Sequence, residues 1–140
     1  MIGGGASVAF ATEHFHPRQP VEIPVNGFGC GHRLRLVGVP VNHGEEKFEI
    51  NLHTPQDIAL HFNPRFNQQC VVRNNTKFDG FPFEYGKIFT LEFVAQPGTV
   101  QIFFNGRLFT EFNERDNPAF INRIEVKGDV HIHSVHVSSH

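Results

Sequence analysis

The chain has no tryptophan and one tyrosine, Tyr85, against 16 phenylalanines, so nearly all its aromatic surface is apolar and suited to a core. It has two cysteines, Cys30 and Cys70. They are too few for a disulfide scaffold and too far apart for a Cys-x-x-Cys metal site, so two separate thiols are expected. Basic residues are not in excess. The formal charge is −2 with histidine neutral, which argues against nucleic acid or an anionic membrane as partner. No run approaches the ~20 apolar residues of a helical membrane span. The first residues lack the basic and apolar regions of a signal peptide, so synthesis in the cytosol is expected, with any export by a non-classical route. No window of ten residues repeats with a helical period, which argues against a helical bundle.

What is present has a period of two. Arg33–Val37, Lys47–His53 and Ile58–Asn63 alternate polar and apolar residues. Gln69–Asn74, Lys87–Val94, Val100–Phe104, Arg107–Phe112, Arg123–Val126 and Val130–Val137 are further strand candidates. Turn residues punctuate them: Asn26-Gly27, Asn42-His43-Gly44, Asp79-Gly80, Pro97-Gly98, Asn105-Gly106 and Gly128-Asp129. Asn105-Gly106 between two aromatic runs predicts a two-residue type I′ hairpin. Pro118–Ile121 allows one helical turn. About ten short strands without helices predict an all-β, two-sheet antiparallel sandwich. A lipocalin-like barrel is the alternative, but its usual disulfide and N-terminal helix have no counterpart. Gly3-Gly4-Gly5 marks residues 1–8 as a flexible tail, leaving 9–140 as a single domain.

One segment carries chemistry: Ile58-Ala59-Leu60-His61-Phe62-Asn63-Pro64-Arg65-Phe66. On a strand, Ile58, Leu60 and Phe62 face a core, and His61, Asn63 and Arg65 line the opposite face over roughly 13 Å. An imidazole, an amide and a guanidinium in a row both donate and accept hydrogen bonds, as sugar hydroxyls do. By pattern alone, an ordinary solvated strand face is the better reading. Lys47, Glu49 and Asn51 share the outward phase of the preceding strand. If the two strands are neighbours they would line an extended subsite, and an ordinary solvated face reads at least as well.

His61-Phe62-Asn63-Pro64-Arg65, followed by Val72-Arg73-Asn74 and then Phe81-Pro82-Phe83-Glu84, resembles the sugar-binding core of the galectins. The family pattern is His-x-Asn-Pro-Arg, Val-x-Asn, then Trp-Gly-x-Glu-x-Arg or Lys. Phe103-Phe104-Asn105-Gly106 and Ile124–Val130 resemble later family segments, and the likeness spans about residues 17 to 138. It implies a jelly-roll sandwich that binds galactose-containing glycans. His61, Asn63 and Arg65 would contact galactose, chiefly its 4-hydroxyl, and Asn74 would take the 6-hydroxyl. Val72 would supply an apolar contact. Glu84 would bind the next sugar while pairing with Arg65, and Phe81 would stand where the family stacks a Trp. Two departures predict weakened or altered affinity: Phe81 for Trp, with Phe83 as a substitute ring, and Gly86 where the family has Arg or Lys. A bulge at Gly86 would bring Lys87 back to the site. The rival reading is a galectin-like structural or interaction protein with little sugar binding.

No nucleophile sits with a base, and only one carboxylate falls in the implied sugar site, so no enzyme is expected. His131 and His133 flank Ile132 and share a face with Val135, with His136 opposite. Such a pair binds zinc only with further ligands, and none is placed by spacing, so no metal and no cofactor are expected. Family likeness and the candidate edge strand Val130–Val137 imply a homodimer or higher homo-oligomer, and membrane insertion is not expected.

Overall fold

The computed structural model describes residues 12–74, 76–78, 80–114 and 116–138. The expected tail, residues 1–8, lies outside them. Among the described residues twelve strands run in chain order: β1 (Thr12–Phe15), β2 (Val21–Pro24), β3 (Arg33–Pro40), β4 (Phe48–His53), β5 (Ile58–Arg65), β6 (Cys70–Arg73), β7 (Thr76–Phe78), β8 (Phe89–Gln96), β9 (Thr99–Phe104), β10 (Arg107–Asn113), β11 (Arg123–Gly128) and β12 (Val130–Ser138). They form two six-stranded sheets, ordered β1-β12-β3-β8-β9-β10 and β2-β11-β4-β5-β6-β7. Every pairing is antiparallel. This is the expected sandwich of the jelly-roll kind. β1, β2 and β7 are too short to announce themselves by alternation.

Phenylalanine fills the space between the sheets. Phe48 and Phe62 of the second sheet and Phe93 of the first are fully buried, with Phe28 beside them. Phe62 meets Phe93 edge-on at 5.6 Å, and Phe48 stacks on Phe89 at 5.7 Å. Burying each ring contributes about 1.5–3 kcal/mol. Residues of alternate phase on β4 and β5 therefore have no choice but the outer face of the second sheet.

The turns set register. Asn105 and Gly106 both have positive φ (49° and 85°), as the type I′ hairpin requires. Gly128 has φ 111°, and a Cβ there would lie 2.6 Å from Lys47 O and Phe48 Cα. Only glycine permits that approach. The next residue, Asp129, is buried, and its Oδ2 accepts from the backbone N–H groups of His43, Glu45 and Glu46 at 2.9–3.0 Å. The loop leading into Lys47 and β4 is thereby tied to the β11–β12 turn.

Two expectations need correction. Val130–Val137 is no edge: β12 lies between β1 and β3, and β1 pairs with Ser134–Val137. A bulge between Ile132 and Ser134 shifts the phase, so His131 and His133 face out while Val135 is fully buried. Phe81–Glu84 is not a strand. After β7 the chain crosses to β8 in the other sheet, and a crossing chain must bury apolar residues over the rim of the core.

Candidate functional site

The order β11-β4-β5 brings three polar strand faces together. Glu125 opposes Asn51, and Asn51 opposes His61. Opposed residues project to the same face, so the three form a row across the sheet. Lys127 opposes Glu49 in the β11–β4 ladder, and a bridge pairs Lys47 with Arg65. The two strands holding Lys47–Asn51 and His61–Arg65 are thus neighbours.

The row is hydrogen-bonded throughout. Asn51 Nδ2 donates to Glu125 Oε1 at 3.1 Å and lies 3.4 Å from Glu49 Oε1. Asn51 Oδ1 accepts from His61 Nδ1 at 2.6 Å. His53 Nε2 donates to Glu125 Oε1 at 2.9 Å. Glu49 Oε1 stands 3.8 Å from His61 Nδ1, and Lys127 Nζ stands 3.8 Å from Glu125 Oε2. Asn51, expected to face solvent, is only 1% exposed, because these neighbours cover it and satisfy it.

Along β5, Asn63 is 2% exposed. Its Nδ2 donates to Phe48 O and its Oδ1 accepts from Arg65 Nε, both at 2.8 Å. The guanidinium is therefore anchored at one nitrogen, and among the described residues nothing holds its two terminal amines. Val72 opposes Asn63 and is half-buried. Asn74, at φ 53°, returns to β5: its Oδ1 accepts from His61 N at 2.9 Å and its own N–H donates to His61 O at 2.8 Å. Its oxygen is committed to the backbone.

Electrostatics sharpens the row. Burial lowers the His61 pKa below 6.5. Glu49 opposes that shift, while Arg65, Lys127 and Lys47 add to it, so the ring is neutral at physiological pH. Burial pushes Glu125 upward, but hydrogen bonds from His53 and Asn51, with the charges of Lys127 and His53, outweigh it and hold the carboxyl below 4.5.

The segment after β7 departs from three expectations about pairing, bulge and substitute ring. The Glu84 side chain is 66% exposed and pairs with Lys87 at 3.3 Å, while Arg65 is bound by Asn63. The expected Glu84–Arg65 pair does not form. Gly86 (φ 78°) sits in a turn whose N–H donates to Pro40 O, so no strand bulge returns Lys87 to the face. Phe81 is half-buried and packs edge-on against Phe66 at 5.0 Å and Phe83 at 5.7 Å. Phe83, the expected substitute ring, is 4% exposed among Phe48, Phe89 and Phe104. It belongs to the core. Sequence reasoning passes over His53, Glu125 and Lys127. His53 continues the Lys47-Glu49-Asn51 phase, but nothing local says that β11 lies beside β4.

Comparisons with known proteins agree with this architecture. A family model described as galactoside-binding lectin matches residues 20–137. The crystal structure of Caenorhabditis elegans galectin LEC-6 superposes with a TM-score of 0.84 at 45% identity, covering 90% of this chain and 95% of that one. The 32 kDa beta-galactoside-binding lectin of Haemonchus contortus is 35% identical over 122 residues, which is 80% of this chain. Mus musculus galectin-6 is 29% identical over 135 residues, or 86% of this chain. The chain spans 43% and 44% of the length of these two relatives.

Proposed function

The chain belongs to the galactoside-binding lectin family, the galectins, and on that premise we propose that it binds β-galactosides on the outer face of its second sheet, with reduced affinity for simple ones. The observation that carries this reading is the anchored comb on β5. His61, Asn63 and Arg65 share one face, and Asn63 holds the Arg65 fork in place. An immobilised donor loses less entropy on binding and separates epimers better than a mobile one. Val72 and Asn74 flank the comb, with Lys47 and Glu49 beside it for a further sugar; Asn51, expected in the same subsite, is buried and orients His61 instead. The reduced affinity follows from the apolar side. Phe81 packs on Phe66 and Phe83, which leaves little ring to stack on a sugar.

The family is one of lectins rather than enzymes, and binding without catalysis is the activity proposed here. Weak single-site binding becomes useful through multivalency, so a homo-oligomer is part of the proposal. So is action on glycoconjugates. Calorimetric titration with lactose tests the reading, since the chain has no indole to report binding. A dissociation constant in the high-micromolar to millimolar range is expected. No heat at about 50 mM lactose, where even a millimolar site would be saturated, overturns it.

A further inference from the structure

We infer that Glu125 is a positioning residue: acting through Asn51, it sets the tautomer of His61 so that the ring presents a bare Nε2 acceptor to the ligand. This rests on the lectin reading for the ligand but not for the tautomer. Glu125 Oε1 can only accept while the carboxyl is ionised. The Asn51 atom at 3.1 Å from it must therefore be the NH₂ group, which also lies 3.4 Å from Glu49 Oε1. The opposite end of the same amide is then the oxygen, and it meets His61 Nδ1 at 2.6 Å. Two acceptors cannot face each other at that distance, so Nδ1 carries the proton. In the neutral ring Nε2 is left as a lone pair, and among the described residues nothing donates to it.

The consequence is chemical selection. Arg65 offers only donors, so it asks the ligand for acceptors. His61 Nε2 asks for a donor. A hydroxyl that bridges the two satisfies both, whereas an ether or an esterified oxygen satisfies only Arg65. The element responsible is on β11, two strands away from the ring it orients. His53, also bonded to Glu125 at 2.9 Å, holds the carboxylate still.

The test is a long-range ¹H–¹⁵N spectrum of the ligand-free protein, labelled at histidine, about one unit above the ordinary histidine pKa of 6.5. The expected His61 pattern is a protonated Nδ1 and an unprotonated Nε2. The reverse pattern overturns the inference. Glu125→Ala frees the Asn51 amide to turn over, so His61 shifts toward the Nε2–H form and lactose binding weakens about five- to tenfold. Glu125→Gln keeps an acceptor for Asn51, so it retains the Nδ1–H signature and binds within about twofold of the native chain. A Glu125→Ala protein with an unchanged tautomer sinks the role of Glu125. Where that variant does not fold, the native spectrum and Glu125→Gln still decide. An intact Nδ1–H signature with no lactose binding supports the relay and removes only the lectin reading.

Discussion

His61 and His131 both sit in the outward phase of a long strand, and both have a second histidine nearby. Their surroundings differ completely. On β5, His61 Nδ1 meets Asn51 Oδ1, and its neighbour His53 meets the Glu125 carboxylate. Across the molecule, His131 and His133 of β12 meet another imidazole: His16 lies 5.6 Å from one ring and 4.8 Å from the other. Among the described residues no group of three or more His, Cys, Asp or Glu is placed to hold a metal. The same residue type in the same local pattern becomes a polarised acceptor in one place and a loose ring cluster in the other. The difference lies in what the adjacent strands bring: acids and an amide from β4 and β11, against β1 and β3.

The sharpest way to test that contrast is to remove side chains from each region. Arg65→Ala is expected to abolish measurable lactose binding in calorimetry, a loss of at least about a hundredfold. His131→Ala with His133→Ala should leave binding within about twofold. Equal losses in the two would end the comparison.

Asn63→Ala comes next. It leaves the Phe48 carbonyl without its donor and frees Arg65. A stability loss of about 1–3 kcal/mol in urea unfolding is expected, together with weaker binding.

A change of pH probes the same network. The His61 pKa is lowered in the folded chain, so below 6.5 the unfolded chain takes up a proton that the folded one resists. Stability is therefore full above 6.5 and declines as pH falls from there through the folded value. Glu125, held below 4.5, adds a second loss of the same sign as pH falls through its own folded value. Urea midpoints measured across this range should show the upper step in the native chain and lack it in His61→Gln.

The smallest effect belongs to Glu84→Ala. Its carboxylate is exposed and, among the described residues, paired only with Lys87, so stability should change by less than about 0.5 kcal/mol and lactose affinity by less than about twofold. A loss like that of Arg65→Ala would return Glu84 to the site.

Much of the frame is legible in the amino-acid order alone. The strands from Arg33 onward other than β7, the Asn105-Gly106 hairpin and the inward phase of Phe48 and Phe62 all follow from alternation and turn chemistry, which act over a few residues. The comb of His61, Asn63 and Arg65 is visible for the same reason. The expected Glu84–Arg65 pair and the use of Phe83 as a substitute ring mislead because the spacing of Phe81–Glu84 from Asn74 resembles a family motif. That segment is the crossover from β7 to β8, and covering the core rim sets its side chains: Phe83 inward, Glu84 and Lys87 outward. The bulge after Ile132 misleads in a similar way, since one extra residue reverses the phase of everything that follows.

The sequence by itself therefore determined the fold class, the faces of the main strands and the three residues of the comb. These depend on a two-residue period and on burying phenylalanine, both local properties of the chain. Only the tertiary structure decided who stands beside the comb. Glu125 is 64 residues beyond His61 in the chain, yet one amide, Asn51, joins them. Strand order arises from how two whole sheets close over one core. Hydrogen bonds between neighbouring strands follow that closure, and no local pattern encodes it.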